Sequence, residues 1–357
     1  MSASNVFVQV QPQRATSSRE VQLDDVYHGS RALTTVSLKF WAEAAYLSTR
    51  PRLTAQTQWS NLRTLDLTVH RPGSQPPAPF YLTTYNFPVL TTLRLVNIPL
   101  DCNSELSTLR SLTLKNTSRL PHLRTDFQGF MQPLCASYRQ LEKLTLDYAL
   151  TDPPNPTEIL VDANPLPLAA LSVHDTPGRV SDVLNYLELA ACTELHLATT
   201  IPGVRPDPST PNPFLYLMPS NWAGRRPVQL REMNKVSFEV VTGRRVRVDC
   251  AYDPMGPPVY CMRSTGALRV RFDVNFDNQP SATAADVVLL QAHTLVALAE
   301  TIKLLKMSAV STIDGITEQR TEVQGVLDHR PGGQLQWYSR PPGRREWKEM
   351  TLYVSGI

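Results

Sequence analysis

The sequence predicts an α/β chain: an irregular solenoid of short parallel strands joined by crossover helices, followed by a β-rich C-terminal part. Three observations carry this expectation. A phrase with apolar residues, mostly leucine, at its first, fourth and sixth places recurs seven times along the first half of the chain. Helix-like apolar spacings fill several gaps between copies. Beyond about residue 220 the phrase gives way to alternating, hairpin-like segments.

Taken in order, residues 1–30 form an N-terminal extension, in which VFVQVQP (6–12) alternates like a strand. The repeat segment is placed at 31–220. Its copies are Leu33, Val36 and Leu38; Leu62, Leu65 and Leu67; Leu90, Leu93 and Leu95; Leu109, Leu112 and Leu114; Leu141, Leu144 and Leu146; Leu168, Leu171 and Val173; and Cys192, Leu195 and Leu197. The steps between them are 29, 28, 19, 32, 27 and 24 residues, which brackets the period of a leucine-rich repeat. In a strand successive side chains point to opposite faces, so the fourth and sixth places share an interior while the third, fifth and seventh face out. Stacking then buries a continuous leucine interior that no single copy could close. Helices are predicted in FWAEAAYLS (40–48), DFQGFMQPLCASYRQ (126–140) and VSDVLNYLELA (180–190), the last starting at Ser181 with Asp182. Uneven steps, and prolines in RPGSQPPAPF (71–80), TDPPNPTE (151–158) and GVRPDPSTPNPF (203–214), predict a distorted stack.

Residues 221–357 are read as a divergent continuation of the repeats or as a β-rich capping subdomain. KVSFEVVTGRRVRVDCAY (235–252) and VYCMRSTGALRVRFDVNF (259–276) each look like two strands about a Gly-containing turn. A helix is expected over 283–307, with Asp286 near its start and Lys303 and Lys306 near its end, as the helix dipole prefers. REWKEMTLYVSGI closes the chain as a short helix or turn and a strand.

Composition narrows the function. With 42% apolar and 19% charged residues the chain can bury a sizeable core, and a net charge of +3 does not mark the whole molecule as a nucleic-acid binder. Five cysteines without a C-x-x-C pair, and no hydrophobic leader core, predict reduced thiols in a cytoplasmic or nuclear protein. On that reading the sequon at Asn116 is chance. No window is long and apolar enough to predict a membrane span. Phosphate loops, dinucleotide fingerprints, H-E-x-x-H and G-x-S-x-G are all missing from the sequence, so no enzyme, cofactor or metal site is predicted. His174-Asp175 and His196 fall on neighbouring predicted strands, but a solvated sheet face explains them more simply than a polar site. Cys250 and Cys261 likewise predict neither a disulfide nor a metal.

Two surfaces remain as candidates. Residues 221–271 hold ten Lys/Arg against four Asp/Glu, which makes Arg245, Arg247, Arg269 and Arg271 candidates for capturing carboxylate or phosphate. The plainer reading is a solvated hairpin face, with Asp249 and Asp273 as local partners. Nucleic acid is not expected, because stacking aromatics are not interleaved with these arginines. The preferred surface is the outward row of the repeats, a common protein-binding site in such stacks. Its candidates are Asp66, Arg94, Lys115, Thr145, Asp147, His174 and His196.

The repeats LRTLDLTV, LTTLRLVNIPL, LRSLTLKN and LEKLTLDYAL resemble the leucine-rich region of F-box-type proteins expanded in basidiomycete fungi. Segments TELHLATTIPG, NPFLYLMP and EWKEMTLYVSG are similar to parts of that region, so the resemblance runs over roughly residues 30–357. It implies a repeat surface that holds a protein substrate for a cullin-RING ubiquitin ligase, joined through a Skp-type adaptor bound by an F-box. No Leu-Pro-x-Glu helix pattern precedes Leu33, so an F-box is not read here and the adaptor link rests on the resemblance alone. The alternatives are a stand-alone repeat scaffold and, less favoured, an enzyme with an unrecognised site. In the familiar repeat an Asn occupies the ninth place; Asn97 and Asn116 occupy the eighth, so no inward asparagine ladder is predicted.

Overall fold

A strand whose alternate side chains are leucines must cover one face. A computed structural model shows how the chain does this for residues 4–10, 33–56, 58–74, 77–137, 140–153, 168–187, 192, 194–202, 235–241, 245–251, 269–277, 304–313, 316–326, 334–339 and 348–353. The chain is α/β and divides into two compact units, Met1–Leu168 and Ala169–Ile357, a boundary that falls inside the predicted repeat segment.

In the first unit, strands β1 (Ser4–Val10), β2 (Leu33–Ala42), β3 (Thr64–Arg71), β4 (Thr92–Val96), β5 (Ser111–Lys115) and β6 (Lys143–Asp147) pair in chain order, all parallel. The register aligns Val36, Leu65, Leu93, Leu112 and Leu144 in one line and Leu38, Leu67, Leu95, Leu114 and Leu146 in the next. All ten are at most 2% exposed, and burying each contributes about 2 kcal/mol. These lines are the fourth and sixth places of the phrase, and the first places (Leu33, Leu62, Leu90, Leu109, Leu141) are buried as well.

Helix α1 (Glu43–Pro51) follows β2 directly and runs into a π-helical turn, Arg52–Gln56. Buried Tyr46 on α1 meets Phe40 edge-on at 5.7 Å, and the Trp59 indole donates to the Leu53 carbonyl at 3.2 Å. Helix α2 (Phe127–Ser137) occupies the long step before β6. Asp126 caps it by accepting the Gly129 N–H at 2.7 Å. A Cβ at Gly129 would stand 2.7 Å from the Cys102 sulfur, so glycine is required there by the close approach of the neighbouring loop. The step of 19 residues between the third and fourth copies leaves no room for a helix, and an extended Phe80↔Leu100 bridge lies beside it instead.

Asparagine behaves differently from expectation. Asn97 and Asn116 are 2% and 1% exposed. Asn97 has φ of 58°, the left-handed region that Asn tolerates better than other non-glycine residues. Its Nδ2 donates to the Val69 carbonyl at 2.7 Å, and its Oδ1 accepts from the Thr117 N–H at 2.8 Å and from the Thr117 and Ser118 hydroxyls at 3.1 and 3.2 Å. One side chain therefore ties β3 to the turn after β5. Asn116 is buried too, but its Nδ2 is used locally on the Leu120 carbonyl at 2.8 Å. Asn97 thus makes one cross-strand tie and Asn116 a local one, rather than a ladder of stacked asparagines.

The second unit opens with the same phrase in β7 (Ala170–Asp175) and β8 (Glu194–Pro202), parallel to each other and joined through helix α3 (Pro177–Tyr186). The helix begins at Pro177, four residues before the predicted Ser181. Proline is pre-set for the first helical turn and needs no donor there, so Pro177 opens the helix one turn earlier than expected. The sheet then runs β7, β8, β11 (Arg269–Asp277), β10 (Arg245–Ala251), β9 (Lys235–Val241), β12 (Leu304–Ile313), β13 (Ile316–Val326). β9 and β10 form the predicted antiparallel hairpin, whereas β11 pairs parallel with β8 and antiparallel with β10. The first half of the second predicted hairpin, 259–268, lies outside the described residues, as do 283–303 of the predicted long helix. Residues 304–307, expected to end that helix, instead begin β12, whose partners are β9 and β13. The closing segment supplies β15 (Lys348–Tyr353), paired with β14 (Gln334–Ser339). Among the described residues no helix is long and apolar enough to cross a membrane.

Candidate binding face

Alternation in the first unit turns three outward rows to one side. The register places Thr35, Thr64, Thr92, Ser111 and Lys143 in the first, Ser37, Asp66, Arg94, Thr113 and Thr145 in the second, and Lys39, Thr68, Val96, Lys115 and Asp147 in the third. Five of the predicted candidates, Asp66, Arg94, Lys115, Thr145 and Asp147, therefore share one sheet face.

Asp66 and Arg94 are cross-strand neighbours and use each other. One terminal nitrogen of Arg94 lies 2.9 Å from both carboxylate oxygens, and the Thr68 hydroxyl lies 3.4 Å from one of them. With side chains 24% and 42% exposed, the pair is worth about 0–1 kcal/mol to stability. Its larger effect is to cancel two charges in the centre of the face. Lys115 lies opposite Asp147 in the register, and Lys39 stands exposed at the other end of the same row. Beyond Lys39, the exposed Trp41 ring lies 6.1 Å from His70 and carries the Arg71 guanidinium 4.7 Å above it. This corner was not singled out by sequence, although a tryptophan at an outward place of the first copy was a readable signal.

His174 and His196 belong to the second unit. There His196 Nε2 lies 2.8 Å from Asp273 Oδ2, and His196 Nδ1 lies 3.3 Å from the Ser172 hydroxyl. An ionised carboxylate only accepts, so the Nε2–H of His196 donates to Asp273, leaving Nδ1 to pair with the Ser172 hydroxyl. The Asp273 side chain is 7% exposed against 41% for His196. This Ser–His–Asp relay links β7, β8 and β11. His174 Nε2 lies 3.3 Å from the Thr200 hydroxyl.

The candidate arginines sit in a checkerboard. Arg247 is opposite Asp273 on one side and Glu239 on the other, Arg271 is opposite Asp249 and His196, and Arg269 is opposite Glu194. Arg245 is opposite Asn275 and Val241. Three of the four thus lie opposite acidic residues in the backbone register. Cys250 lies on β10 opposite Val236 and Val270, and Cys261 lies outside the described residues. Burial pushes the Cys192 thiol up to about 11, against a smaller lowering by backbone hydrogen bonds.

No family model, curated protein or solved structure matches the chain. The functional reading therefore rests on the residues and their register.

Proposed function

We propose that the chain is a non-enzymatic protein-recognition module: an irregular leucine-rich-repeat solenoid whose outward rows on β2–β6 receive a protein partner. The supporting observation is the in-register lattice of short polar and charged side chains. Its backbone is held by two buried leucine lines beneath it. A pre-ordered face loses little conformational entropy on binding, and mixed charges at fixed spacing favour one partner over another. By its resemblance, the module is a substrate receptor of an F-box-type ubiquitin ligase. The alternative is a stand-alone scaffold.

Placing a photo-cross-linking benzoylphenylalanine at Thr113, on the face, and separately at the exposed Ser48 of α1 tests the reading in cells that make the protein. A discrete cross-linked partner from position 113 and not from 48 is the expected result. Equal capture at both, or capture only at 48, moves the site off this face. Co-purification of a Skp-type adaptor with the intact protein separates ligase receptor from scaffold.

A further inference from the structure

The corner where β2 and β3 end gathers cations without an acid paired to them. Lys39 and Trp41 take alternate outward places on β2, ~7 Å apart along the strand. Lys39, Trp41, His70 and Arg71 are all exposed, the indole at 37%. The Arg71 guanidinium stacks 4.7 Å over the Trp41 ring, and His70 lies 6.1 Å from that ring. In the register Lys39 lies between Gln9 and Thr68, and Arg71 lies opposite Ala42. The nearby acids are used elsewhere: Asp66 is engaged by Arg94, and the Glu43 carboxylate accepts the Gly73 N–H in the loop beyond β3. Among the described residues neither Lys39 nor Arg71 makes an ion pair.

We propose that this corner binds a phosphoserine or phosphothreonine carried by a segment of the partner protein. That the ligand is a protein rests on the outward face being the recognition surface, whereas the phosphate follows from the corner itself. Stacking on an indole fixes the plane of a guanidinium without using its in-plane N–H donors, so Arg71 presents a fork for two oxygens of one group. A carboxylate would fill that fork and leave Lys39 without a counter-charge. A phosphate monoester brings three acceptor oxygens and a charge of about −2 at neutral pH. It meets Arg71 and Lys39 together, the flexible lysine stem closing the distance along the strand, with His70 as a further donor at the rim. A nucleic-acid strand would need successive aromatic platforms, and the three outward rows on β2–β6 hold no aromatic residue.

Fluorescence anisotropy at low salt tests this with the full chain and a labelled Gly-Ala-Ser-Ala-Gly peptide phosphorylated on its serine. The same peptide with unmodified Ser, or with Glu in its place, should bind about tenfold or more weaker, the scale of a lost charge-assisted hydrogen bond. Arg71→Gln and Lys39→Gln should each cost the phosphopeptide a similar factor. Arg71→Lys, which keeps the charge and removes the fork, and Trp41→Leu, which removes the platform, should also weaken it. Lys143→Gln, at an exposed cation three strands from β3 on the same face, should leave it unchanged. Circular dichroism checks folding, and Arg71→Lys carries the test should Trp41→Leu disturb β2. No binding of the phosphopeptide, equal binding of the Ser or Glu peptide, unchanged affinity in Arg71→Gln or Lys39→Gln, an equal loss in Lys143→Gln, or tighter binding of an oligothymidylate overturns the proposal. If the cross-linker at position 113 captures its partner equally after phosphatase treatment and in Arg71→Gln, the face survives and the phosphate site falls. If capture at 113 fails while the phosphopeptide still binds in an Arg71-dependent way, the phosphate site stands and the reading of the face falls.

Discussion

Asn97 offers the sharpest test of how the rungs are held. Replacing it with alanine removes the Nδ2–H donor to the Val69 carbonyl and the Oδ1 acceptor shared by Thr117 and Ser118. Val69 is 1% exposed, so its carbonyl loses a partner in a dry place, at about 1–3 kcal/mol. Thr117 and Ser118 are exposed, so water replaces part of what they lose and about 1 kcal/mol covers that side. Alanine also holds φ of 58° less readily than asparagine, which adds about 1 kcal/mol. The sum is about 3–5 kcal/mol. Asn97→Gly loses the same hydrogen bonds but not the conformational term, so it should recover about 1 kcal/mol relative to alanine. Urea unfolding measured by circular dichroism gives the two values. Hydrogen exchange adds location: opening should accelerate in β3 and in the turn after β5 together, because one side chain joins them. Equal stability of the alanine and glycine variants would refute the backbone argument. A loss below about 1 kcal/mol in both, beneath the unpaired-carbonyl estimate, would refute the bridge itself.

Two further outcomes follow from the core. Leu93→Asp or Leu112→Asp puts a carboxylate into lines that are 0% and 1% exposed and should abolish the cooperative melt of the first unit, whereas Leu93→Ala should cost about 2–5 kcal/mol and leave it folded; an unchanged melt in the Asp variants would remove the stacked-core account. Burial raises the Cys192 thiol to about 11, so the folded chain keeps a proton that the unfolded chain releases. The stability it contributes is full below the ordinary thiol range and declines as pH climbs toward 11. Cys192→Ala should flatten that part of the urea-midpoint profile, and identical profiles for the two proteins would contradict it.

The repeats were legible because their signal is redundant. Each copy has three apolar places at fixed offsets, and Leu65, Leu93, Leu112 and Leu144 align without exception in the register. Helix α1 was legible in part: Phe40, Trp41 and Ala42, read as its start, belong to β2, and the helix runs Glu43–Pro51. What sequence missed depends on geometry that spacing does not encode. Asn97 joins β3 to the turn after β5 from a left-handed position, and α3 starts at Pro177, ahead of the expected Ser181. The Ser172–His196–Asp273 relay joins residues 77 positions apart between His196 and Asp273. It exists because β11 pairs with β8 over the heads of β9 and β10, and no local pattern in RVRFD announces that choice.

The face illustrates why surface composition alone is a poor guide to recognition. Arg94 and Lys115 read alike in sequence, as cations on neighbouring outward places. The register gives each an acid beside it: Arg94 lands opposite Asp66 and is hydrogen-bonded to it, while Lys115 lands between Val96 and Asp147. The distance from Lys115 to Lys39 is then fixed by strands whose mutual register depends on buried side chains, Asn97 among them. On the proposed reading, specificity on this face depends on the core beneath it, and a substitution that slips the rungs should disturb recognition even where it touches no outward residue.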